Sequence, residues 1–290
     1  LNNKTNVPTW SKLESEITDW LNTNNTNPNV SFEQCGGSDS TVSDIQIMVN
    51  NKPTNKFIEV KSANAQAGQF VLFPNTATRT FEYSTKNHSD YNNPINGLVV
   101  SEILDFMDEN FDSYANAGTK GVEIMFPKLS AEDNSRFFAL WIADYYSNTK
   151  HAEWLATKDS NNNIILLPFS KLAEYFTVSA CYRTKKSGSS SVKSSCKTLE
   201  TVKQAIISLN PDNVPKFTIV NNKLYAKFET IPKNLGNADY HLAIKGEWGT
   251  LFEVRKLSKT FNSNVIFSLK LKALSKEQVE ATSEYLNQLV

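Results

Sequence analysis

Along residues 45–50 Ile45, Ile47 and Val49 alternate with Gln46, Met48 and Asn50, the period-2 pattern of a strand with one face buried. Phe57, Ile58 and Val60 form a second β-branched and aromatic run. Alternation sends Ile58 and Val60 to one face of that strand and Glu59 and Lys61 to the other. The Asn-Asn-Lys-Pro-Thr-Asn stretch at 50–55 supplies turn chemistry between the two runs. The pattern therefore predicts a hairpin whose first strand opens at Asp44, which arrives opposite Glu59 or close to it.

Elsewhere the apolar positions take a helical period. Trp10, Leu13, Ile17 and Leu21 mark an amphipathic helix that also carries Glu14, and an Asn/Thr loop follows at 22–30. Ile103, Phe106, Met107 and Phe111 form one stripe within 101–114; Phe137, Leu140, Trp141 and Tyr145 form another within 133–147. A strand starts over Gln69–Phe73, a short buried one runs over Ile164–Leu167 to Pro168, and a brief helix covers Lys171–Phe176. From Val178 onward strands dominate (VSACYR, KFTIV, KLYAKF, YHLAIK, LFEVRKL, VIFSLKL) before a last helix over Lys276–Leu289. This is not the helix-strand alternation of a doubly wound sheet. It predicts an α+β fold: a core at 1–177, a mixed sheet flanked by helices, with a β-rich part at 178–290 packed on it or continuous with it.

The hairpin carries the candidate chemistry. Two carboxylates as close as Asp44 and Glu59 repel, and each raises the other's pKa unless a cation lies between them. Mg²⁺ suits that pair, because it takes oxygen donors and keeps several waters; the Val60 carbonyl is a further oxygen donor. Lys61 beside such an ion would orient a water and offset charge growing on a phosphorus centre. Glu14 is a weaker candidate for an outer or second-metal carboxylate. The plain alternative is a solvent-facing hairpin on which Glu59 and Lys61 form an ordinary exposed pair.

Composition narrows the classes. Lysine plus arginine and aspartate plus glutamate both number 30, so a basic surface for nucleic acid must be local. Three cysteines, none in a Cys-x-x-Cys pair, fit reduced thiols. His88, His151 and His241 lie far apart, which disfavours a zinc site or a Ser-His-Asp triad, and no phosphate-binding glycine motif is present. No run of eighteen apolar residues and no signal-like segment is found, so the expected compartment is the cytoplasm, without membrane contact.

The stretch GGSDSTVSDIQIMVNNKPTNKFIEVKSANAQAGQFVLFPN at 36–75 resembles the PD-(D/E)XK nuclease superfamily and, more narrowly, the HhaI-type type II restriction endonucleases. The resemblance continues through YANAGTKG at 114–121, VSACYRTKKSGS at 178–189 and KTFNSNVIFSLKLK at 259–272. It implies Mg²⁺ on Asp44 and Glu59, with Lys61 completing the catalytic set and Gln66 and Gln69 positioning a phosphate or the active-site loop. One departure stands out: Ser43, not proline, precedes Asp44.

The resemblance also implies cleavage of double-stranded DNA at a GC-only palindrome, GCGC, with 5′-phosphate ends and a cognate DNA methyltransferase as functional partner. Both a monomer and a homodimer are compatible with it. Arg183, Lys185 and Lys186 with Ser187, Gly188 and Ser189 combine cations with small residues that let a backbone approach phosphates. Arg183 is also a candidate reader of guanine, with Asn262 and Asn264 beside it as candidates, and Lys120 in the Gly118–Gly121 turn is a phosphate or base contact. A structure-selective repair nuclease and a catalytically silent DNA-binding relative are the competing readings.

Overall fold

The computed structural model describes residues 9–35, 43–83, 94–186, 188–244 and 250–289. The side chain of Trp10, residue Ser187 and residue His88 lie outside the described residues. The chain divides into two compact units, 1–184 with 263–290, and 185–262.

In the first unit, helix α1 (Thr9–Asn24) leads into β1 (Val30–Gln34), β2 (Ile45–Val49), β3 (Lys52–Val60), β4 (Asn64–Asn75) and β5 (Thr80–Tyr83). Helices α2 (Pro94–Glu109) and α3 (Phe111–Ala115), strand β6 (Val122–Ile124) and helix α4 (Ala131–Asp144) follow, the last running into a π-helical turn at Tyr145–Thr149. Then come β7 (Ala152–Lys158), β8 (Ile164–Pro168), α5 (Leu172–Tyr175) and β9 (Phe176–Lys186).

The second unit holds β10 (Ser189–Ser191), α6 (Leu199–Leu209), β11 (Lys216–Val220), β12 (Lys223–Lys227), β13 (Tyr240–Ile244) and β14 (Leu251–Leu257). The first unit regains β15 (Phe261–Leu271), of which it holds the part from Ser263 onward, and α7 (Lys276–Leu286). A single cut after residue 177 misses this return. The reason is pairing rather than composition, since β15 lies between β4 and β9.

Two sheets organise the first unit. One has the order β1-β2-β3-β7-β8, with β3 and β7 parallel and the other neighbours antiparallel. The other has the order β5-β4-β15-β9-β6. Ile17 and Leu21 of α1 and Leu286 of α7 are buried with Ile45, Ile47, Ile58, Val60 and Ala156 against one face of the first sheet. Alternation therefore sends Phe57 to the opposite cluster, with Leu155, Phe70, Trp141 and Phe267.

That second cluster is aromatic. Trp141 stacks on Phe267 at 4.4 Å and on Tyr145 at 5.1 Å between ring centroids. Gly68 leaves room for it, because a Cβ there would lie 2.3 Å from Trp141 Cζ3. Helix α7 is fixed by a reciprocal cap: Gln278 N–H donates to Ser275 Oγ at 3.2 Å, and Ser275 N–H to Gln278 Oε1 at 2.9 Å.

The second unit is a sheet of order β10-β14-β12-β11, with β13 also on β14, over a cluster of Val202, Ile206, Leu224, Phe252 and Val254. The expected strands are present. Helix α6, which supplies Val202 and Ile206, was not expected.

Candidate active site

The hairpin turns at Asn50 and Asn51, both with positive φ (50° and 59°), a two-residue turn that asparagine tolerates. Lys52 and Pro53 are already in β3, so the turn is tighter than the Asn-Asn-Lys-Pro-Thr-Asn stretch suggested. Proline is accommodated because pairing with β7 begins only at Phe57, which leaves that stretch of β3 without a neighbour on one side.

An irregularity in the β2–β3 ladder then sets the site. Val49 pairs with Lys52 and Met48 with Pro53, but Gln46 pairs with Phe57 and Ile45 with Ile58. Continued from the turn, the first register would place Asp44 opposite Phe57. The shift moves β3 on by two residues, keeps its faces, and places Asp44 opposite Glu59. Gln46 anchors the shift by donating from Nε2 to the Thr54 carbonyl at 2.8 Å.

Asp44 Oδ2 accepts the Val60 N–H at 2.8 Å. Burial, then the neighbouring charge of Glu59, push the Asp44 carboxyl up to about 7 against the partial relief of Lys61 and the Val60 N–H. Glu59 is 5 % exposed, and Lys61 Nζ donates to its Oε1. Burial on its own would lower the Lys61 ammonium, but Glu59 and Asp44 outweigh it and hold the lysine above its ordinary value. The Lys61 main chain is fixed as well, its N–H donating to the Ala156 carbonyl at 3.0 Å.

Glu14 comes from α1. It is 7 % exposed, its Oε2 accepts Gln34 Nε2 at 2.8 Å, and burial raises its carboxyl. Asp44, Val60, Lys61 and Glu14 line one open cleft of about 720 Å³ together with Lys12, Glu16, Ser62 and Lys158. Sequence reasoning did not find Gln34, Lys12, Glu16 or Lys158. Neither did it find Tyr146, whose ring centre lies 5.6 Å from Lys61 Nζ.

The other expected residues fall elsewhere. Gln66 and Gln69 lie on β4, where Gln66 Nε2 donates to Gln69 Oε1 at 2.8 Å. Lys120 is exposed in a turn closed by Gly121 at φ +81°, where a Cβ would meet Cys181 Sγ at 2.6 Å and Arg183 Cβ at 2.7 Å. Thr184 holds that turn, donating from N to the Gly118 carbonyl and from Oγ1 to the Ala117 carbonyl at 2.9 Å. Lys120 and half-buried Arg183 are thus brought close by the packing of the 117–121 turn on β9.

In the second unit Lys186 and Gly188 are exposed and Lys185 and Asn262 half-buried. Ser189 belongs to β10 rather than a loose linker, and its hydroxyl and carbonyl accept Arg255 at 2.8 and 2.6 Å. Asn264 departs from expectation: it is 2 % exposed in β15, opposite Val71, and so too buried for a base contact in this conformation.

This fold is similar to a solved structure of HhaI endonuclease in complex with DNA, with a TM-score of 0.69 and 35% sequence identity over 97% of this chain and 98% of that one. The chain belongs to the HhaI-like restriction endonucleases. It is a type II restriction endonuclease by family, with the mixed sheet and flanking helices of the restriction-endonuclease-like fold. No family model and no curated protein matches the chain.

Restriction endonucleases of this fold generally use a divalent metal. Asp44, Glu14 and Val60 line the cleft, and the oxygens they offer, carboxylate and main-chain carbonyl, are of the kind a hard cation takes. Burial is the first cause of the upward push on Asp44 and the Glu59 charge the second, and a cation between the two carboxylates would relieve the second. Among the described residues no cluster of three or more His, Cys, Asp or Glu side chains forms a metal cage. Among them, too, no helix is long and apolar enough to cross a membrane.

Proposed function

We propose that this chain hydrolyses phosphodiester bonds of duplex DNA at a short GC-only palindrome, GCGC, with Mg²⁺ as cofactor, leaving 5′-phosphate and 3′-hydroxyl ends. The observation that carries this reading is the approach of Asp44 to Glu59 through the two-residue shift in the β2–β3 ladder, with Lys61 donating to Glu59 and both Asp44 and Lys61 lining one cleft. Family membership, and the DNA bound in the similar HhaI structure, support duplex DNA as the substrate.

Asp44 and Glu59, with the Val60 carbonyl, would hold the ion. A bound divalent cation acidifies its water and polarises a phosphoryl oxygen. Lys61 would turn its ammonium from Glu59 towards the attacking water and the oxygens on which charge accumulates. Glu14 presents a further carboxylate at the cleft wall, kept in place by Gln34.

Lys120, Lys185, Lys186 and Gly188 are assigned to phosphate contact, and Arg183 and Asn262 to guanine or base edges. A cognate methyltransferase would protect the host's own sites, and the cytoplasm is the compartment where both would meet DNA.

The test is a digest of sequenced, unmethylated plasmid by purified protein with Mg²⁺, the ends mapped to the nucleotide. Discrete fragments ending at GCGC with 5′-phosphates are expected. Ends at unrelated sequences would overturn the assigned site; absence of fragments would overturn the activity.

A further inference from the structure

Besides Asp44, Lys61 and Glu14, three charged side chains line the same cleft: Lys12 and Glu16 of α1, and Lys158 at the end of β7. Lys12 and Glu16 are one helical turn apart and share a face. Lys158 has the parity of Ala156, which is buried on the α1 side of the sheet. Lys158 Nζ donates to Glu16 Oε2 at 2.8 Å, and Lys12 Nζ lies 3.8 Å from Glu16 Oε1. One carboxylate thus serves two ammonium groups, leaving a net single positive charge.

Their place in the fold gives this cluster its meaning. Strands β3 and β7 are the parallel pair, with Val60 opposite Ala156. Lys61 and Ser62 therefore leave one strand beside the point where Lys158 ends the other. The crevice at the carboxyl ends of parallel strands is where such sheets take ligands. The pair itself adds little to stability, because its side chains are 28% and 38% exposed.

We propose that Lys12 and Lys158 form a phosphate-binding subsite for the phosphodiester next to the scissile one, and that Glu16 occupies their donors until the DNA backbone displaces it. This rests on the nuclease reading above. The single negative charge of a phosphodiester matches the net charge of the cluster. Lys12 and Lys158 are positioning residues: they hold the strand so that the scissile group meets Lys61, and they take no part in bond breaking.

The experiment measures duplex binding with Ca²⁺ in place of Mg²⁺ between 50 and 200 mM salt, for wild type, Lys12→Ala, Lys158→Ala, Lys158→Arg and Glu16→Gln. Each lysine-to-alanine change should reduce the slope of log affinity against log salt by about 0.9. It should raise KM more than it lowers kcat. Lys158→Arg should restore the slope, and Glu16→Gln should bind more tightly than wild type. A neutral methylphosphonate beside the scissile position should weaken wild type and leave Lys158→Ala unaffected.

Unchanged slopes in both alanine variants, or an equal methylphosphonate penalty in wild type and Lys158→Ala, would overturn the subsite and leave the nuclease reading standing. A wild-type protein that neither binds nor cuts duplex DNA would overturn both.

Discussion

The ammonium of Lys61 lies 5.6 Å from the centre of the Tyr146 ring. That ring is itself fixed: its hydroxyl donates to the Ala67 carbonyl at 2.8 Å and its face stacks on Phe169 at 4.8 Å. Tyr146 is delivered by the π-helical turn that ends α4, a type of irregularity frequent at functional sites. A cation over an aromatic face contributes about 0.5–1 kcal/mol when exposed and about 2 or more when desolvated. Tyr146 therefore holds the Lys61 ammonium from a second side while that ammonium donates to Glu59.

Replacing Tyr146 separates the ring from the hydroxyl. Tyr146→Leu should lower the single-turnover cleavage rate roughly tenfold, the equivalent of about 1.4 kcal/mol, with DNA affinity little changed. Tyr146→Phe keeps the ring and should restore most of the rate, while losing about 1 kcal/mol of stability with the Ala67 hydrogen bond. Equal losses of rate in the two variants would contradict the positioning role of the ring.

The pH dependence of the metal-free protein follows from Asp44. Its folded-state pKa, about 7 through burial and then Glu59, lies above the unfolded-chain value. The folded state thus binds the proton more tightly, so Asp44 contributes most to stability below about pH 4, and that contribution is lost as pH rises through about 7. Asn at this position can still accept the Val60 N–H without charge. Melting curves in EDTA should place Asp44→Asn above wild type at pH 8, by roughly 2–4 °C per kcal/mol recovered, and level with it at pH 4. Mg²⁺ should raise the wild-type melting temperature at pH 8 and leave the variant unmoved.

Gly68 tests the packing behind the site. The Trp141 ring occupies the space of any Cβ there, and Trp141 is itself clamped by Phe267 and Tyr145. Gly68→Ala should destabilise the first unit by about 1–3 kcal/mol, read as a lower urea midpoint with an unchanged slope. An unchanged midpoint would contradict the tight approach of β4 to α4.

Local patterns carried most of what could be read from the chain. Alternation in Ile45–Val49 and Phe57–Val60 marks the hairpin, and the stripes around Ile17 and Trp141 mark α1 and α4, because each depends on neighbours a few residues apart. The convergence of Asp44 with Glu59 was legible, but the ladder shift that produces it was not, since Gln46 and Thr54 carry no distinctive signal for a bulge. Proline at 53 drew the expected turn too far along. Non-local pairing stayed hidden: β7 joins β3 in parallel across a long crossover, and β15 inserts between β4 and β9. Lys158 and the burial of Asn264 were invisible for that reason. Helix α6 is a different case, because Val202, Ile206 and Leu209 carry a helical period that an expectation of strands from Val178 onward passes over.

Asp44, Glu59 and Lys61 are proposed here as the cleavage centre, with Lys61 acting on the reaction and not on DNA affinity. The most direct test of that assignment is single-turnover cleavage of a mapped plasmid site by Lys61→Ala, alongside equilibrium binding of the same duplex. Cleavage should fall by at least about a thousandfold, on the scale of about 4 kcal/mol of lost transition-state stabilisation, with the dissociation constant within a few-fold of wild type. Cleavage at a near wild-type rate, or a loss of binding that matches the loss of cleavage, would contradict the assignment.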